Sequence, residues 1–171
     1  DFSWSDDERA RHDEVLRFAT EELADDVVAR DHAGEFPADL WKRCAEFGVL
    51  GWPVPTERGG AGLPVTTVAF LMEALGRGCR DNGLTFALGA QMWGVQTALL
   101  HFGSERQIDK YLGGSVDGSL QGAYGMTEEG SGSDAFGLSA TAVRDGSDYV
   151  LNGEKVLITF APIAEFAIVF A

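Results

Sequence analysis

Tyr124-Gly125-Met126-Thr127-Glu128-Glu129-Gly130-Ser131-Gly132-Ser133-Asp134 is the stretch on which the reading of this chain turns. It stands where helical periodicity gives way to strand composition, at the end of a predicted strand. It gathers small residues, hydroxyls and main-chain N–H groups into a loop too polar for a core. Small residues let a ligand approach the backbone, and successive N–H groups form an anion-binding nest. Thr127, Ser131 and Ser133 add hydroxyl donors. That chemistry suits a phosphorylated or heteroaromatic cofactor, although on composition alone a Gly/Ser-rich surface turn reads equally well.

Upstream of this loop the pattern is helical. Ser5-Asp6-Asp7-Glu8 spells a capping box, and Val15, Ala19, Leu23 and Val27 then fall four apart with Leu16 beside them, predicting one apolar stripe. A second helix is predicted from Pro37 to Gly48, burying Leu40, Trp41, Cys44 and Phe47. Residues 49–64 hold three prolines and read as a structured loop. Two further helices are expected over 63–78 and 83–102, and a second capping box, Ser104-Glu105-Arg106-Gln107, opens a short helix carrying Ile108, Tyr111 and Leu112. After Gly113 strand composition takes over at 138–144, 149–151, 155–159 and 166–170, with Asp145-Gly146 and Asn152-Gly153 as tight-turn signals. All-helix followed by antiparallel sheet is the order of an α+β chain or of two domains.

The bulk properties exclude several classes. With 27 acidic against 13 basic residues the net charge is −14, which argues against nucleic acid or an anionic membrane surface as a main partner. Residues 82–100 carry no charge, but Gln91, Gln96, two threonines and three glycines suit them to a buried helix rather than to hydrocarbon, so no membrane insertion is expected. Cys44 and Cys79 lie 35 residues apart without CxxC spacing and read as reduced thiols of a cytoplasmic protein. No cluster has metal-ligand spacing. His12 and His32 read as solvated and His101 as a helix-end residue. Gly130-x-Gly132-x-x-Ala135 formally matches a dinucleotide fingerprint, yet strand-like sequence follows where that motif must open a helix. No GxxxxGK[ST] loop or GxSxG elbow is present. The chain begins without Met and stops at Ala171 inside an apolar run, and so reads as cut at both ends.

Two segments remain as walls of one cleft: the loop 124–134 and the predicted strand around Val156, Leu157, Ile158 and Thr159. Thr127 and Thr159 each offer a hydroxyl and an N–H. Gln91, Met92 and Gln96 are candidates to line a ligand pocket, with a core helix that touches no ligand as the competing reading.

These residues resemble the acyl-CoA dehydrogenase family of flavoproteins. The likeness runs in order through Phe47-Gly48-Val49-Leu50-Gly51-Trp52-Pro53-Val54-Pro55 with Gly59-Gly60-Ala61-Gly62, through Phe102-Gly103-Ser104-Glu105-Arg106-Gln107 with Lys110-Tyr111-Leu112, through 124–134, and through Leu151-Asn152-Gly153-Glu154-Lys155 to Thr159. The resemblance implies an N-terminal all-α helical domain over 1–118, followed over 119–171 by the start of an antiparallel β-barrel-like domain, with a C-terminal helical bundle outside this chain. It implies FAD contacts at Tyr124, Met126, Thr127, Gly132 and Ser133, with Ser133 also near the thioester substrate. It further implies that Leu157, Ile158 and Thr159 lie against the flavin ring, Thr159 near N5. The implied reaction removes an α-proton and a β-hydride from an acyl-CoA or acyl-carrier-protein thioester, as in fatty acid metabolism, leaving a 2,3-double bond. The implied partners are an electron-transfer flavoprotein or other acceptor and further copies of the chain, as a homo-oligomer (dimer or tetramer).

Three positions depart from the family pattern. Leu157 stands where a flavin-stacking tryptophan is common, Glu129 where proline is usual, and Phe160 where a small or polar residue is usual. Loss of an aromatic stack costs about 1 kcal/mol of ring packing. The departures suit a divergent, biosynthetic member acting on carrier-bound substrates. The family's catalytic glutamate lies beyond Ala171, and no acid here maps onto it, so no catalytic residue is assigned. A flavin-dependent monooxygenase on the same scaffold and a non-enzymatic descendant are the alternatives, since fold alone does not establish function.

Overall fold

The computed structural model describes residues 3–24 and 26–171. Helix α1 (Asp6–Glu22) begins at the expected capping box: the Glu8 N–H donates to Ser5 Oγ at 3.2 Å, and the Ser5 N–H donates back to the Glu8 carboxylate at 2.9 Å. It buries Val15 and Ala19, but the stripe does not continue as one helix. Leu23 caps α1, and α2 (Val27–Ala33) starts afresh where Asp26 accepts the Ala29 N–H, ending at Gly34 with φ of +66°. Short side-chain caps of this kind compete with helix continuation, which periodicity alone does not register. Helix α3 (Ala38–Glu46) follows Pro37 and buries Leu40, Trp41 and Cys44 as expected.

Helix α4 (Val65–Gly78) lies along α1, and the approach is closest at Gly78. A Cβ there would sit 2.6 Å from the Ala19 Cβ and 2.9 Å from the Leu16 carbonyl oxygen. His12 belongs to the same contact. It is buried rather than solvated, bonded through Nε2 to Glu73 at 2.7 Å and stacked on Phe70. The run predicted as one helix over 83–102 is α5 (Asn82–Gly89), a π-helical segment (Ala90–Gln96) and α6 (Thr97–Phe102). A widened turn of this kind re-aims the side chains that follow it. Helix α7 (Glu105–Val116) opens on the second capping box and buries Ile108 and Leu112.

Beyond α7 the chain forms strand β1 (Gly122–Gly125), the hairpin β2 (Thr141–Asp145) and β3 (Asp148–Asn152), and β4 (Phe166–Val169). The hairpin is antiparallel and turns at Gly146, with φ of +63°. The β1–β4 pair runs parallel, with Gly122 opposite Phe166 and Gly125 opposite Val169. No strand forms over 155–159. Leu157 and Phe160 take positive φ (56° and 66°), which breaks extended pairing, and Phe160 turns into the helical core against Trp41 and Phe36. Tertiary packing of the adjacent Phe160 has here overridden the β propensity of the residues before it.

Contacts at several points bind the β segment to the helices. Gln91, on the π segment, donates to the Leu120 carbonyl and accepts the Gly122 N–H; the Trp41 indole donates to the Gly118 carbonyl; and Phe160 seals the aromatic cluster. At Gly122 an added Cβ would lie 2.6 Å from Val95, so β1 rests directly on the π segment.

Replacing Gly78 with Ala is expected to destabilise the protein by about 1–3 kcal/mol through overpacking of α1 against α4, as measured by urea unfolding. An unchanged midpoint would contradict the close approach.

Candidate cofactor site

Of the residues marked out in the sequence, Met126 and Thr127 are brought directly against the segment that follows β3. Lys155 Nζ donates to the Met126 carbonyl at 3.0 Å, and the Val156 N–H donates to the Thr127 carbonyl at 2.9 Å. The two segments therefore do meet, through these bonds rather than through a hairpin.

Glu128 is the site residue that the sequence reading passed over. Its side chain is buried, and its two oxygens accept from Lys155 Nζ (2.7 Å), the Ala140 N–H (2.9 Å), the Ser139 N–H (2.7 Å) and the Ser139 hydroxyl. Its backbone closes the loop by exchanging hydrogen bonds with Ser131 (3.0 and 3.1 Å), and the Ser131 hydroxyl ties down the Asp134 carbonyl. Glu128 stands beside Glu129 in the loop, and nothing in the sequence marks which of the two acids meets Lys155, 27 residues on. Lys155 holds the Glu128 carboxyl down at about 2, with the Ser139 hydroxyl and then the Ser139 and Ala140 N–H groups adding to the effect.

The loop so fixed is rich in spare donors. With the Met126 and Thr127 carbonyls occupied, the Thr127 N–H and hydroxyl have no partner among the described residues; nor do the N–H groups of Gly132 and Ser133 or the Ser133 hydroxyl. Gly132 and Ser133 are exposed, Met126 and Thr127 half-buried. Such an edge can hold an electron-rich heteroaromatic rim or an anion. Leu157 is 92% exposed, and its left-handed backbone is a strained geometry for a branched side chain.

Thr159 lies apart from Thr127 on the wall of a cleft of about 650 Å³ between α2, the start of α5 and the 159–163 turn. Phe36, Leu84, Ala87, Phe160 and Ile163 give that cleft apolar walls, and the Arg30–Asp81 ion pair closes one part of it. Tyr124 faces a second cleft of about 550 Å³, between α6, α7 and β4. Gln91, Met92 and Gln96 line neither. All three are fully buried; the amides of Gln91 and Gln96 donate to the Leu120 and Ser115 carbonyls, so the core-helix reading holds for them.

Other chemistries find no support among the described residues. No group of three or more His, Cys, Asp and Glu side chains is placed to hold a metal ion. Burial, with Cys79 nearby, pushes the Cys44 thiol up to about 12, which removes it as a nucleophile. No helix is long and apolar enough to cross a membrane.

Because the folded-state pKa of Glu128 lies below its ordinary 4.5, the stability it contributes is present above about 4.5 and is lost as pH falls toward about 2. The melting temperature is expected to drop across that window, and Glu128→Gln to flatten its share of the drop. An acid profile identical in wild type and Glu128→Gln would contradict this role for the pair.

Comparison with known proteins agrees with this architecture. The family description for the acyl-CoA dehydrogenase N-terminal domain matches residues 5–119, and that for the middle domain matches residues 123–171. An L-prolyl-[peptidyl-carrier protein] dehydrogenase of Serratia sp. is 38% identical over 171 residues, covering 100% of this chain and 44% of that protein. The prolyl acyl carrier protein oxidase AnaB superposes with a TM-score of 0.94 at 40% identity, covering 99% of this chain and 45% of AnaB. PigA, solved with FAD and proline, superposes with a TM-score of 0.90 at 38% identity, covering 97% of this chain and 44% of PigA. This chain thus spans just under half the length of these relatives, and it belongs to the acyl-CoA dehydrogenase family.

Proposed function

We propose that this chain supplies the helical domain (1–118) and the opening of the middle β-domain (119–171) of an FAD-dependent acyl-thioester dehydrogenase. Its proposed substrate is a small aminoacyl group, prolyl in the first instance, tethered to a carrier protein. The observation that carries this reading is the pinned loop at Met126 and Thr127: its carbonyls are engaged from behind by Lys155 and Val156, so the edge it offers consists of donors.

That donor set fits an oxidised flavin, whose ring nitrogens and carbonyls accept hydrogen bonds. Donors at those atoms favour the reduced anion and hence hydride acceptance. In this reading Tyr124, Met126, Thr127, Gly132 and Ser133 hold FAD from the loop, and Leu157, Ile158 and Thr159 hold it from the segment beyond Lys155, with Ser133 also contacting the thioester. Bound FAD supplies the two-electron acceptor for an acyl chain losing its α-proton and β-hydride. The chain's own residues bind and orient: Thr127 and Thr159 donate, while the apolar walls at Leu84, Ala87 and Ile163 receive the acyl group and exclude water. The cleft beside Thr159 and the names carried by the Serratia enzyme and AnaB support a small carrier-bound group. Electrons pass on to an electron-transfer flavoprotein or another acceptor, and the working unit is a homo-oligomer.

Mixing the purified flavoprotein with prolyl-carrier protein without oxygen is expected to bleach the flavin, and short acyl-CoA thioesters to bleach it far more slowly. Rapid bleaching by the CoA thioesters alone would overturn the carrier assignment. Thr127→Val is expected to weaken FAD binding roughly tenfold, the worth of a hydrogen bond to a buried acceptor; full retention of flavin would remove Thr127 from the site. Ala87→Phe fills the cleft, so KM for the thioester is expected to rise while FAD content stays at the wild-type level. An unchanged KM would place the acyl group elsewhere.

A further inference from the structure

The Glu128–Lys155 pair does more than close a loop. A trans peptide unit points its C=O and N–H in opposite directions, and no cis peptide occurs among the described residues. The Met126 carbonyl belongs to the same peptide plane as the Thr127 N–H. By drawing that carbonyl onto its ammonium, Lys155 turns the Thr127 N–H, in the same plane, toward the opposite edge. The neighbouring unit behaves in the same way. Its Thr127 carbonyl meets the Val156 N–H, while its Glu128 N–H is sent the other way, to the Ser131 carbonyl.

Lys155 in turn has few places to go. Its side chain is 12% exposed, and Glu128, 6% exposed, holds it at 2.7 Å. Glu128 is itself fixed by the Ser139 and Ala140 main chain at the entry to the hairpin. The chain of contacts therefore runs from the hairpin, through a buried carboxylate and a buried ammonium, to the direction of one amide donor.

We infer that Glu128 and Lys155 are positioning residues that aim the Thr127 N–H at the cofactor, with neither touching it. This rests on the FAD reading above. Buried ion pairs contribute little net stability, because desolvation offsets their attraction, whereas removing one partner strands a charge. The stability lost on acidification is measured against the protonated carboxyl; against an uncharged pair the net gain is small, so geometry accounts for keeping the two charges.

The test uses the full-length protein stripped of flavin, with FAD titrated back and the midpoint potential of the reconstituted protein measured. Lys155→Met is expected to raise the Kd for FAD by about tenfold or more and to move the potential to more negative values, since a donor to the reduced ring is lost. Glu128→Gln with Lys155→Met removes both charges, so its fold stands without a stranded carboxylate; the same loss of affinity and the same potential shift are expected. Lys155→Arg keeps a cation within reach of Met126 and is expected to recover most of both. A double variant with the wild-type Kd and potential would overturn the inference while leaving the FAD reading intact. Wild-type protein that takes up no FAD would overturn both.

Discussion

The buried carboxylate of Glu128 is the interaction on which the candidate site depends. Four donors converge on it, from Lys155, Ala140 and twice from Ser139, and they come from segments on either side of the β2–β3 hairpin. Without that convergence the loop 124–134 is a run of small residues with many accessible conformations and a high entropy to lose on ordering a ligand. With it, the carbonyls of Met126 and Thr127 are committed, and the loop presents donors at little further cost. This is preorganisation in its usual sense: order established during folding need not be established again on binding.

The segment beyond Lys155 must also stand in a fixed relation to the helices, because the cleft beside Thr159 is walled by both. Gln91 bridges the π segment to the start of β1 with two hydrogen bonds, and Trp41 and Phe160 fasten the far ends of the β segment to α3. The positive φ at Phe160 is strained for an aromatic residue, at roughly 1–2 kcal/mol, and its edge-on packing against Trp41 and Phe36 offsets a comparable amount. A small or polar residue at that position would relieve the strain but give up the aromatic seal. Phe160 thus belongs to the wall of the cleft and to the helical core at once.

Much of this was legible in the sequence, for identifiable reasons. Both capping boxes formed, since their hydrogen bonds are local and need only the residues that spell them. The hairpin formed around Gly146 because a tight turn fixes its own register. What failed depended on distant partners. His12 read as solvated until α4 supplied Glu73 and Phe70, and 155–159 read as a strand until Trp41 claimed Phe160. Gln91 had the composition of a pocket residue, yet it proved to be a brace between helix and strand. The family motif pointed to the loop residues themselves, but the Glu128–Lys155 pair that shapes them is made only by the tertiary fold. Partners 27 residues apart leave no periodic trace.

The most direct measurement is a crystal structure of the full-length protein with FAD bound. The account predicts the flavin ring against the Thr127 N–H, with the Met126 and Thr127 carbonyls still turned to Lys155 and Val156. A flavin bound away from Thr127, or a loop whose carbonyls have swung toward the ring, would contradict it.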